Sequence, residues 1–121
     1  MNNYKYTGLH VHSIYSALDG LGKVEDIVIR GKELGMDKII VSDHGNMSAC
    51  YDLYYACKKH NVKPIFANEM YLAPGSHLVK KKIEGEKAYY HLIVIAKNNI
   101  GYKNLMKLTS DSWINGKYLP L

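Results

Sequence analysis

The chain has no apolar run long enough to cross a bilayer. After His91 the longest is Leu92 to Ala96, where a membrane helix needs about 20 residues. Nothing at the start resembles a signal peptide, because Met1 to Thr7 is polar and aromatic with no apolar centre. Cysteine is scarce. Cys50 and Cys57 fall in what reads as one helix, which sets their α-carbons roughly 10 Å apart, beyond the ~7 Å reach of a disulfide. Two free thiols are expected, and they fit a reducing cytoplasm. Acidic residues are outnumbered, 11 against 16 Lys and Arg, leaving a net charge of +5. That balance suits a polyanionic partner such as nucleic acid, yet many basic proteins bind none. With 121 residues, 47% of them hydrophobic, the chain is expected to form one soluble globular unit with a core of its own.

The pattern along the chain alternates strand and helix. Tyr4 to Val11 is short, aromatic and β-branched, and reads as a first strand. Val24, Ile27, Val28, Gly31 and Leu34 follow helical spacing over Lys23 to Leu34, with Glu25 and Asp26 at the positive end of the helix dipole. Gly35 stands where a left-handed C-cap belongs. Lys38 to Ser42 is apolar without alternation, the mark of a strand covered on both faces. A second helix is predicted over about Met47 to Lys59, and a third strand over Val62 to Glu69. A polar excursion from Leu72 to Lys87, carrying Lys80-Lys81-Lys82, leads to a fourth strand, Tyr89 to Ala96. A last helix is predicted over Ile100 to Trp113 with Leu105, Met106, Leu108 and Thr109 toward the core. This order predicts an α/β fold with a parallel sheet. There is no internal repeat.

The chemistry-bearing residues gather at one edge of that sheet. His10 and His12 are two apart, so in a strand they point to one face and their ring nitrogens can converge on one ion. Asp19, in a turn ending at Gly20, can return a carboxylate to the same place. Asp43-His44 and Glu69 each close a strand, and the carboxyl ends of strands are where α/β sheets do chemistry. Histidine nitrogen with carboxylate oxygen suits zinc or manganese rather than calcium. A His-x-His pair also arises by chance in a chain with six histidines. His91 opens its strand instead of closing it, and reads either as a site residue or as a core histidine satisfied by a carbonyl. Asp43 reads either as a residue that orients a ligand histidine or as a helix cap. His60 and His77 carry no assigned role.

His10-Val11-His12-Ser13 with Tyr15-Ser16 and Asp19-Gly20, then Ser42-Asp43-His44-Gly45-Asn46, resemble the first two motifs of the polymerase and histidinol phosphatase superfamily, the PHP domain. Val62-Lys63-Pro64-Ile65 leading to Glu69, and His91 to Asn98 followed by Gly101-Tyr102-Lys103-Asn104-Leu105, resemble the start of bacterial replicative polymerase subunits that carry such a domain. The resemblance runs to about Asn115. It implies the N-terminal half of a distorted seven-stranded, TIM-like β/α barrel, so that residues 1–121 form a single partial PHP domain. It implies metal ligands at His10, His12, Asp19, His44, Glu69 and His91, and up to three divalent ions, Zn²⁺ or Mn²⁺, in the complete domain. Three further ligands, a His or Cys and an Asp-x-His pair, would lie downstream of Leu121. Phe66-Ala67-Asn68-Glu69 departs from relatives that usually carry a glycine two residues before the acid.

The function implied is metal-dependent phosphodiester hydrolysis, a 3′ to 5′ exonuclease of the proofreading type, within a polymerase that acts on DNA with other replisome subunits in the cytoplasm. Two other readings stay open: a free-standing phosphoesterase acting on a small phosphate monoester, and a non-catalytic structural fragment. Half a barrel would leave sheet edges exposed, so self-association is expected. The chain to Leu121 alone is expected to bind metal through His10, His12 and Glu69 but to hydrolyse little DNA.

Overall fold

The computed structural model describes residues 6–78 and 84–116. In chain order these form α1 (Val24–Glu33), β1 (Lys38–Val41), α2 (Cys50–His60), β2 (Lys63–Leu72), β3 (Tyr90–Ile95) and α3 (Asn99–Ile114). The sheet order is β1-β2-β3. The architecture is mixed α/β, as the alternating pattern predicts, and most elements stand within a few residues of their predicted bounds. Gly35 takes φ +81° just past α1, and its N–H donates to the Lys32 carbonyl. Only a residue without Cβ adopts that conformation at no steric cost.

Three expectations are corrected. The first strand forms no ladder over its described part. Tyr4 and Lys80-Lys81-Lys82 lie outside the described residues. Thr7 and Val11 run alongside β1, but hydroxyls make much of the contact: Thr7 Oγ1 donates to the Lys38 carbonyl and the Val11 N–H donates to Ser42 Oγ, with one backbone bond from the Ser42 N–H to Val11 O. Second, the sheet is not wholly parallel. β1 pairs parallel with the first part of β2, Lys38 opposite Lys63 through Val41 opposite Phe66, whereas β3 pairs antiparallel with the rest, from Ala67 opposite Ile95 to Leu72 opposite Tyr90. A hydrophobic run specifies a strand but not its direction, which depends on the partner's ladder. Third, α3 buries Leu105 but leaves Met106 and Leu108 exposed.

The core lies between the sheet and the first two helices. Val24 and Val28 of α1, Ile39 and Val41 of β1, and Ala49, Leu53, Ala56 and Cys57 at or in α2 form one buried cluster, with Ile27, Met36, Val62 and Phe66 packed on its margin. The helical three-and-four spacing meets the strand's two-residue spacing across this layer. Gly31 lets α1 sit close on β1, because a Cβ there would strike the Ile39 side chain. Both cysteines are buried free thiols, and burial raises each pKa to about 11.

Candidate metal centre

The six sequence-predicted site residues come together where β2 crosses from one partner to the other. The parallel pairing of β2 continues past the end of β1: the Glu69 N–H donates to the Asp43 carbonyl at 3.0 Å and the Gly45 N–H donates to the Glu69 carbonyl at 2.9 Å. His44 therefore stands beside Glu69 as an isolated bridge partner. From the other side, the antiparallel register sets His91 opposite Tyr71, two residues past Glu69. This resolves why His91 opens its strand. In an antiparallel pair the start of one strand lies against the end of the other, so His91 reaches Glu69. Glu69 does not close its strand as expected: β2 runs three residues further, to Leu72, because β3 pairs with it there.

Glu69 is the centre. Its side chain is 5% exposed, and Oε2 lies 2.9 Å from His10 Nε2 and 3.0 Å from His12 Nε2. The two imidazole nitrogens are themselves 2.9 Å apart. Oε1 faces the other way, 2.8 Å from His91 Nδ1. His44 joins the remaining acid, with Nε2 3.0 Å from Asp19 Oδ2, which is 3.6 Å from His12 Nε2. Among the described residues these make three overlapping donor groups: His10, His12, Glu69; His12, Asp19, His44; and His44, Glu69, His91. Burial pushes the Glu69 carboxyl up, but the hydrogen bond with His10 and the charges of His44, His10 and His12 outweigh it, holding the group below the usual carboxylate range.

The donor set fits a metal. Ligand atoms 2.0–2.1 Å from a shared ion stand about 2.9 Å apart at right angles and about 3.4 Å apart in a tetrahedron. The 2.9–3.0 Å separations of His10 Nε2, His12 Nε2 and Glu69 Oε2 lie at the lower end of that range. His44 Nδ1 is buried with no hydrogen-bond partner, although Glu69 Oε2 is 3.4 Å away. A buried nitrogen left so is costly unless something completes it.

Asp43 caps no helix, since α2 begins at Cys50 with Ala49 before it. It is 1% exposed and accepts three bonds: the Ser13 N–H at 2.7 Å, the Ser13 hydroxyl at 2.7 Å and the Ser16 hydroxyl at 2.6 Å. With its proton committed to the carboxylate, Ser16 Oγ can only accept from its other neighbours, the His44 N–H at 3.1 Å and His12 Nδ1 at 3.3 Å. When neutral, as a metal ligand must be, His12 bonded in this way carries its proton on Nδ1 and leaves Nε2 for an ion. Asp43 thus orients a site histidine through Ser16. The buried Ser13 and Ser16 were missed in the sequence, where two serines around a turn look like solvated polar residues. The signals were their place in the motif from His10 to Gly20 and an Asp directly before His44. Gly20 closes the same loop, because a Cβ there would collide with the Ser13 carbonyl oxygen. His60 and His77 lie apart, facing Glu25 and Asp111.

The sequence profile of the PHP domain matches residues 8–120. The chain belongs to the PHP domain family. This PHP domain chain is 46% identical over 114 residues to the DNA polymerase III subunit alpha of Borreliella burgdorferi, covering 94% of this chain and 10% of that one. It is 40% identical over 118 residues to the subunit of the same name from Treponema pallidum, covering 98% and 10%. The chain thus spans about a tenth of the length of the curated relatives it matches. Among solved structures, a Chromobacterium violaceum amidohydrolase with bound sulfate and no metal aligns with TM-score 0.58 and 15% identity, over 87% of this chain and 34% of that one. A Bifidobacterium adolescentis protein assigned as a metal-dependent phosphoesterase aligns at 0.57 and 14%, over 84% and 32%. At such identities the likeness is one of fold. No helix among the described residues is long and apolar enough to cross a membrane.

Proposed function

We propose that the chain is part of a bacterial DNA polymerase III alpha subunit, the N-terminal half of a barrel-shaped PHP domain that, when whole, hydrolyses phosphodiester bonds from the 3′ end of DNA. Its ligands are His10, His12, Asp19, His44, Glu69 and His91, its ions Zn²⁺ or Mn²⁺, and its setting the cytoplasmic replisome. The observation that carries the reading is the convergence of four histidines on the two oxygens of one buried carboxylate, beside the Asp19–His44 pair. The polymerase relatives supply the substrate class.

Each residue has a part in this. Glu69 divides its oxygens between the His10–His12 side and His91, so one carboxylate can serve two ions, which neither a lysine nor an asparagine could do. His44 links Glu69 to Asp19, and Ser16 holds the tautomer of His12. His10 and Asp19 have side chains more than half exposed, so the phosphate approaches from their side. Divalent ions, when bound, neutralise phosphate charge and lower the pKa of water to near 7.

Elemental analysis of protein purified without added metal, compared with a His10→Ala/His12→Ala double variant, tests the first step. The native chain should carry Zn²⁺ or Mn²⁺ and the variant should have lost it; equal metal in both sinks the reading. End-labelled single-stranded DNA tests the second, using the longer polymerase. The 3′ label should leave first, and His44→Ala should abolish this. Cleavage of a small phosphate monoester with DNA untouched would favour the free-standing phosphoesterase instead.

A further inference from the structure

Helix α3 is poorly anchored by apolar burial. Leu105 is its one buried residue, while Met106, Leu108 and Ile114 are exposed. Two hydrogen bonds tie it to the sheet edge instead. Asn68 Nδ2 donates to Thr109 Oγ1 at 2.8 Å, and Trp113 Nε1 donates to the Gly45 carbonyl at 2.8 Å. Thr109 and Trp113 are four residues apart and so share one helix face. Their partners are the immediate chain neighbours of two site residues, Asn68 before Glu69 and Gly45 after His44. Those two segments are also bonded to each other through the Gly45 N–H and the Glu69 carbonyl.

Two details show that these bonds are specific. The turn after His44 is held from within by Asn46, whose Nδ2 donates to the His44 carbonyl at 2.9 Å, but Gly45, with φ +61° and a Cβ that would strike the Tyr71 ring, has no side chain of its own. Its carbonyl is held from outside, by Trp113. Asn68 is fully buried and its Oδ1 has no hydrogen-bond partner. Leaving a buried acceptor unpaired is costly, so an amide in this place is accounted for by what its Nδ2 does, the bond to α3.

We propose that α3 is a clamp on the metal centre, in which Thr109 and Trp113 are positioning residues that hold the backbone carrying Glu69 and His44 in register. The inference rests on the metal-binding reading above. Groups behind metal ligands matter because they fix ligand orientation, and losing one typically lowers metal affinity about 10- to 100-fold.

The test is Zn²⁺ affinity of the chain, measured by competition with a chromophoric chelator. Thr109→Val and Trp113→Phe should each weaken Zn²⁺ binding by about 10- to 100-fold, whereas Thr109→Ser, which keeps the hydroxyl, should bind as the native chain does. Tyr102→Leu is the control, since Tyr102 joins α3 to Phe66 of β2 away from the site, ring centroids 5.0 Å apart. It should lower the melting temperature and leave affinity unchanged. Trp113 is the single tryptophan, so Zn²⁺ should shift the native emission but not that of the His10→Ala/His12→Ala variant. Native affinity in Thr109→Val and Trp113→Phe overturns the clamp, and so does an equal loss in Tyr102→Leu. A native chain that takes up no Zn²⁺ overturns the metal reading and the clamp with it, so the two failures are told apart.

Discussion

The two sides of β2 are built by different means. On the β1 side, α1 and α2 close an apolar layer in which Val28, Leu53 and Cys57 are essentially inaccessible. On the β3 side, Tyr90, Leu92 and Ile95 remain exposed. Among the described residues, α3 packs on the sheet through one buried leucine and the Tyr102–Phe66 ring contact, with two polar bonds beside them. The candidate site lies on the seam. His10, His12 and Asp19 come from the segment beside β1, while Glu69 and His91 come from the β2–β3 pair. The first side is closed by apolar packing. The second keeps its ligands in place by directed bonds, and presents apolar surface of the kind that another protein element covers.

Truncations of like size should separate the two sides most sharply. Leu53→Ala removes a buried side chain and should cost about 2–5 kcal/mol, while Leu108→Ala, exposed on α3, should stay within about 0.5 kcal/mol. Urea unfolding of both variants decides it, and equal costs would erase the contrast.

The next effect belongs to the seam. Asp43→Asn replaces an acceptor-only carboxylate that takes bonds from the Ser13 N–H, Ser13 Oγ and Ser16 Oγ. A loss of about 1.5–3 kcal/mol is expected for bonds to a charged group. The His12 ring should also lose its fixed tautomer, visible as altered imidazole nitrogen shifts in NMR. Lost stability with an unchanged His12 would mean that Asp43 serves the loop and not the histidine.

Association should depend on the β3 side. Among the described residues β3 pairs only with β2, so its outer edge and Leu92 are open. The chain should sediment as a dimer or larger species at low micromolar concentration, and Leu92→Lys should weaken this about tenfold, or about 1.4 kcal/mol. A native particle of 13.7 kDa alone would remove the expectation.

The smallest effect is chemical. With Cys50 and Cys57 raised to about 11 by burial, only about one thiol in a thousand is ionised at pH 8. Alkylation by iodoacetamide should be very slow in the native chain and fast in urea, and its native rate should rise as pH climbs toward 11. Rapid labelling at pH 8 would mean that the apolar side opens readily.

Much of the molecule was legible in residue order, because it depends on neighbours in the chain. Helical spacing from Val24 to Leu34 places α1 and the glycine after it, and the unbroken Ile39-Ile40-Val41 run announces a strand covered on both faces. All six candidate residues came from motif resemblance, with strand-end position adding to the case for His10, His12 and His44, and the structure brings all six together. The direction of β3 was decided only by tertiary pairing, since an apolar run forms a parallel or an antiparallel ladder equally well, and with that direction came the place of His91. The same holds for Asp43, whose three donors lie 27 to 30 residues away in the chain, and for Leu108, whose spacing is helical but whose side chain stays half exposed. Local order carries periodicity and turn chemistry; which strand lies beside which, and which carboxylate is buried among which hydroxyls, exists only once distant segments meet.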